Sequence, residues 1–62
     1  TASERRNTII NYLQTKQDCD VNEIIDQFDV TPATIRRDLT FLENSGSISR
    51  THGAVHLVKT PA

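Results

Sequence analysis

The stretch from Val30 to Gly46, VTPATIRRDLTFLENSG, constrains the fold most, because it marks a helix at both ends. Thr31 is a good N-cap: its hydroxyl can accept a first-turn backbone N–H that has no partner within the helix. Pro32 falls at the first helical position, where a missing N–H costs nothing. Gly46 stands where helices commonly end in a left-handed turn. Between these signals, Ile35, Leu39 and Leu42 recur at helical spacing and form one apolar stripe. At about 100° per residue, Ala33, Arg37 and Thr40 point away from that stripe, with Arg36 on its flank. The outer face of this helix is therefore small, hydroxylated and doubly basic at its N-terminal half. Such a face suits entry into a DNA major groove.

The rest of the chain reads as a frame for that helix. An amphipathic helix is expected over residues 1–16, with Ile9, Ile10 and Leu13 inward and Tyr12 beside them. Thr1 and Glu4 have capping-box spacing, with Ser3 as the other candidate cap. Arg5 and Arg6 fall in its first turns, open either to solvent or to a phosphate contact. Residues 15–18 read as a polar turn. Asp20 and Glu23 make a second capping-box pattern for a short helix over residues 21–28, with Cys19 and Ile24 placed as its hydrophobic staple. Val30 and Ile35 are placed to form another staple. A short helix, a tight turn and a longer capped helix make a helix-turn-helix.

Beyond Gly46 the period changes from helical to alternating. Ser47-Ile48-Ser49-Arg50 and the apolar run 54–58 flank Thr51-His52-Gly53, whose glycine supplies a hairpin turn. The predicted fold is mainly α with a small β-hairpin: a winged helix-turn-helix of three helices and a two-stranded wing. One domain is expected over residues 1–58. Residues 59–62 read as the start of a linker. The lack of any methionine suggests processing or a piece of a longer protein.

At 62 residues the chain has room for one thin core and no ordinary catalytic cleft. It offers no nucleophile–base pair, Gly-rich phosphate loop or metal-ligand cluster, so an enzyme is not expected. Two His four apart on a hairpin do not make a zinc site. Cys19 has no disulfide partner in the chain and reads as a small buried apolar residue in a reducing, cytoplasmic setting. No apolar run approaches a membrane span. The formal net charge of −1 taken alone argues mildly against a nucleic-acid partner, but the charge is unevenly spread. Asp18, Asp20, Glu23, Asp26 and Asp29 crowd one stretch without a base. Arg36, Arg37, Arg50 and Lys59 outnumber Asp38 and Glu43 thereafter. A winged helix used only to bind other proteins is the competing reading, with the acidic second helix as its surface.

The run DVNEIIDQFDVTPATIRRDLTFLENSGSISRTHGAV, with the helix before it, resembles the N-terminal domain of the DeoR family of bacterial transcriptional repressors. The combination VTPATIRRDL, then LE, a glycine and RTHG carries the resemblance over nearly the whole chain. One departure is visible: the family usually has His-Gly-Gly-Ala in the wing, whereas this chain has His52-Gly53-Ala54-Val55. The resemblance implies a cytoplasmic bacterial repressor of sugar metabolism that binds double-stranded operator DNA. It also implies a further domain, absent here, that senses a phosphorylated sugar and makes the intact protein a homo-oligomer, the isolated domain being monomeric. No cofactor is expected within these residues.

The expected DNA-binding residues are Thr31, Pro32, Ala33, Thr34, Arg36, Arg37 and Thr40 on the recognition helix, Arg50 and His52 on the wing, and Arg6. Arg37 is the candidate base reader and Arg36 the phosphate clamp. Ala33 and Thr40 can touch base edges or thymine methyls. The start of the helix, Thr31 to Thr34, favours a phosphate. Arg50 and His52 are placed for phosphate or the minor groove. Asp38, which phosphate would repel, is expected to orient an arginine or a wing hydroxyl.

Overall fold

A computed structural model describes residues 1–16 and 18–58. The proposed linker, residues 59–62, and Gln17 of the polar turn lie outside the described residues. The chain runs α1 (Ala2–Thr15), β1 (Cys19–Asp20), α2 (Val21–Gln27), α3 (Pro32–Asn44), β2 (Ile48–Thr51) and β3 (Ala54–Leu57). Thr1 is the cap of α1, accepting the Glu4 N–H at 3.2 Å, and its hydroxyl lies 3.2 Å from a Glu4 carboxylate oxygen. Ser3 lies inside the helix instead.

The second capping box forms only by half. Asp20 accepts the Asn22 N–H at 2.7 Å, but Glu23 does not reach back to Asp20. Its carboxylate instead takes the Tyr12 hydroxyl at 2.9 Å and the Lys16 ammonium at 2.8 Å, tying α1 to α2. Here the carboxylate has two donors, one of them a cation, in place of the single backbone N–H of a capping box. The Val21 N–H is met by the Gly53 carbonyl at 3.2 Å, which fastens α2 to the wing.

α3 matches its sequence signals closely. Thr31 caps with Pro32 at the first position. At the other end Ser47 N–H bonds the Leu42 carbonyl at 2.9 Å and Gly46 N–H bonds that of Glu43 at 3.0 Å. This crossed pair, with Gly46 at φ +82°, is a Schellman ending. Val30, expected to staple onto Ile35, is left 37% exposed, so the α2–α3 angle rests on other contacts.

The wing is an antiparallel β2–β3 hairpin in which Thr51 pairs with Ala54. Only His52 and Gly53 turn the chain, at φ +53° and +83°. Positive φ at both central positions defines the tight I′ turn that suits strand twist, so one glycine closes this wing. A third strand completes the sheet, in the order β1-β3-β2. β1 pairs Cys19 with Val55 and Asp20 with Ala54. Two residues carry no periodicity, which is why the pattern showed only the hairpin. The extended backbone that the Asp20 cap requires is also what lets it join a sheet edge.

Every element contributes to one core: Ile9, Leu13, Cys19, Ile24, Ile35, Leu39, Leu42, Ile48 and Val55 are buried together. The apolar stripe of α3 runs through its centre, which holds the opposite face of that helix outward. No helix among the described residues is long and apolar enough to cross a membrane.

Candidate nucleic-acid interface

With Ile35, Leu39 and Leu42 inward, Ala33, Arg36, Arg37 and Thr40 are all exposed on α3. Among the described residues neither Arg36 nor Arg37 makes an ion pair or a side-chain hydrogen bond. Two adjacent cations thus stand uncompensated on a helix whose axis is fixed by the core. Their spacing separates their directions: Arg37 lies opposite the buried stripe, while Arg36 shares its flank with Glu43, seven residues on.

The start of α3 is more occupied than its sequence suggests. The Thr31 and Thr34 hydroxyls bond each other at 2.8 Å, and the Thr34 N–H goes to the Thr31 hydroxyl and carbonyl at 3.3 and 3.0 Å. Pro32 has no N–H. Of the first-turn amides, Ala33 alone has no partner among the described residues, so any anion here would be met by one backbone donor and the helix dipole.

On the wing side, Arg50 of β2 gives Nε and Nη2 to one Glu43 oxygen at 3.2 and 2.8 Å, with Nη2 3.5 Å from the Thr40 hydroxyl. The structure therefore brings two expected site residues, Arg50 and Thr40, directly together, with Arg50 also held by an acid, Glu43, that is not among the expected site residues. Glu43 had a usable signal: it sits one and two helical turns from Leu39 and Arg36, on the side where the wing returns. His52 occupies the hairpin tip, exposed and away from this bridge.

On the opposite flank stands Asp38, only 1% exposed. It orients arginines, as expected, but they are those of α1 and no wing hydroxyl is involved. Arg5 donates Nε and Nη2 to its two oxygens, and Arg6 donates Nε to Oδ1 at 3.1 Å. The Arg5 bond above all, and then Arg6, hold the Asp38 carboxyl below the usual carboxylate range, although burial alone would raise it. Arg6 is neither a free surface cation nor remote from α3. Its guanidinium lies 3.8 Å from the Phe41 ring centroid. Phe41 itself is 51% exposed and is not among the expected site residues. Its signal is an aromatic residue standing off the apolar stripe of a helix.

No group of three or more His, Cys, Asp or Glu among the described residues is placed to hold a metal ion. Cys19 is buried and unpaired, its thiol pushed up in pKa chiefly by desolvation.

A three-helix domain that presents a capped basic helix beside a β-hairpin is a winged helix-turn-helix DNA-binding domain. The family model of the DeoR-like helix-turn-helix domain matches residues 5–61, and the chain belongs to that family. This is a family of transcriptional regulators and not of enzymes. The chain is 42% identical over 57 residues to the HTH-type transcriptional regulator GolR of Listeria innocua, covering 92% of this chain and 22% of that protein. It is 38% identical over 56 residues to the lactose phosphotransferase system repressor of Lactococcus lactis, covering 90% and 22%. A putative galactitol utilization operon repressor of Escherichia coli is 42% identical over 50 residues, covering 81% and 45%. The chain thus spans about a fifth of the length of the first curated relatives it matches. No solved structure matches it.

Proposed function

We propose that this chain is the operator-binding domain of a bacterial repressor of sugar metabolism. The observation that carries the reading is the uncompensated Arg36–Arg37 pair on the exposed face of a capped helix whose other face is buried in the core. Relatives named as repressors of lactose and galactitol systems support the sugar assignment. In this reading α3 enters the major groove N-terminus first. Arg37 reads a base edge, a guanine O6/N7 pair being the natural match for a guanidinium. Ala33 and Thr40 lie against neighbouring edges, and Arg36 clamps a phosphate. Thr31, Pro32 and Thr34 approach the backbone around the open Ala33 amide. Arg50 and His52 bring the wing to the backbone or minor groove, and Arg6 contacts phosphate from α1.

Residues 1–58 form the DNA-binding domain and residues 59–62 lead to an effector domain that binds a phosphorylated sugar. Homo-oligomerisation through that domain pairs two half-site readers on one operator, in the bacterial cytoplasm, whereas the isolated domain is a monomer.

The test is an amide NMR titration with a mixed-sequence duplex at low salt, followed by a panel of duplexes. Shifts should group on residues 31–40 and 50–53 and reverse with salt. Arg37→Ala should cost about 1–3 kcal/mol and relax sequence preference, while Arg36→Ala should weaken all sequences alike and flatten the salt slope by about one. A uniform loss for Arg37→Ala would remove it as the reader. No shifts, with the chain alone or fused to a dimeric coiled coil, would leave the protein-binding winged helix.

A further inference from the structure

A carboxylate that is 1% exposed is an unfavourable choice for a helix flank that packs against another helix. An apolar side chain of similar volume would usually serve stability as well, so the gain from Asp38 lies in defined geometry. Two cations converge on this one anion, leaving a surplus positive charge, and the bonding shows which arginine carries it. Arg5 is bidentate and neutralises Asp38. Arg6 gives Asp38 only Nε, and its remaining N–H donors have no partner among the described residues. The Arg6 guanidinium is also held from one side by the Phe41 ring, 3.8 Å away, yet its side chain stays 23% exposed. Phe41 lies one turn beyond Arg37 on α3. A partly exposed guanidinium with free donors is thus held in place at the edge of the exposed basic face.

We propose that Asp38 is a positioning residue for DNA recognition: with Phe41 it presents Arg6 as a preformed clamp for a backbone phosphate beside the groove that α3 enters. The inference rests on the DNA-binding reading above and adds how one contact is built. A free arginine loses rotamer freedom when it binds phosphate, whereas Arg6 has already lost it on folding. Because Asp38 and Arg37 share one helix, a phosphate caught by Arg6 also sets how far Arg37 reaches into the groove. The planar fork suits this task, since Nε can bond the carboxylate while the terminal nitrogens face a phosphate.

The experiment measures binding of the 62-residue chain to a duplex selected from a random pool, and to a mixed-sequence duplex, across a salt series. Asp38→Asn should lower affinity for the selected duplex by about tenfold, lower affinity for the mixed duplex less, and flatten the salt slope by about one. Arg6→Gln sets the full scale of that slope change. Asp38→Glu should recover part of the affinity, which a purely structural role in the helix contact would not predict from stability alone. Phe41→Leu leaves both arginine–Asp38 bonds in place and should flatten the slope in the same direction. It decides the matter if Asp38→Asn does not fold. Folded Asp38→Asn or Phe41→Leu with an unchanged slope overturns the inference while leaving the DNA reading intact. Failure of the unaltered chain to bind any duplex overturns both.

Discussion

Glu43 competes with DNA phosphate for Arg50, and its replacement by glutamine should tighten DNA binding. In the free domain Arg50 spends its charge on Glu43, with Nη2 2.8 Å from Oε1 and side chains 30% and 38% exposed. A pair this accessible contributes only about 0.2–1 kcal/mol to stability, so the fold tolerates its loss. Glutamine keeps an oxygen for Arg50 and removes the negative charge, leaving the seam between α3 and β2 one unit more positive. A unit charge about 10 Å from a phosphate, at an effective dielectric of about 60, gains roughly 0.5 kcal/mol. Two phosphates at that range give about 1 kcal/mol, a tightening of roughly fivefold at low salt. If Arg50 then neutralises one phosphate fully, the salt slope should steepen by about 0.9. Fluorescence anisotropy of a labelled duplex between roughly 50 and 200 mM salt measures both quantities. Arg50→Ala and the double variant complete a cycle that isolates the pair. Weaker binding by Glu43→Gln, or an unchanged slope, would refute the reasoning and assign the pair to holding the wing in place.

Gly53→Ala should lower stability by about 1–2 kcal/mol, because φ +83° penalises any Cβ while the space around it is empty. For a domain this size that is a drop in Tm of at least roughly 4–8 °C by thermal circular dichroism, and Gly53→Asn should lose much less. An unchanged Tm for the alanine variant would contradict the I′ turn. Glu23 is held below the ordinary carboxylate range by its bonds from Lys16 and then Tyr12. Its folded value is the lower one, so its stabilisation is complete above the unfolded pKa near about 4.3 and is lost as pH falls through the folded value. Urea unfolding midpoints should therefore fall less steeply below that pH in Glu23→Gln than in the parent. Equal acid dependence in the two proteins would mean the network is not formed in solution.

What could be read from the sequence is what local chemistry decides. Thr31, Pro32 and Gly46 act within a few residues of themselves, and the α3 boundaries followed from them. The exposed placement of Ala33, Arg36, Arg37 and Thr40 followed from the spacing of Ile35, Leu39 and Leu42. The features that escaped are decided by partners distant in the chain. Asp38 meets arginines 33 and 32 residues earlier, and no helical periodicity registers that. Glu23 has the right spacing for a capping box and is drawn off by Tyr12 and Lys16, one helix away. Cys19 and Asp20 extend the sheet only because β3 offers an open edge. Val30 has the spacing of a staple but remains partly in solvent, while Ile24, Ile35 and Leu39 are fully buried.

The same long-range pairing resolves the conflict between a net charge of −1 and a DNA-binding role. The acids nearest the basic face are the ones the fold compensates: Asp38 by Arg5 and Arg6, Glu43 by Arg50. Glu23 is matched by Lys16. Asp20, Asp26 and Asp29, in contrast, stay exposed on or beside α2. Arg36 and Arg37 are left without a neutralising partner among the described residues, so the field beyond α3 is positive although the chain is not. Screening sharpens the separation, because at 0.1 M salt a charge is felt over only about 10 Å. The charge that matters to a phosphate is therefore the local sum after internal pairing. That sum is set by α1 meeting α3 as much as by the composition of α3 itself.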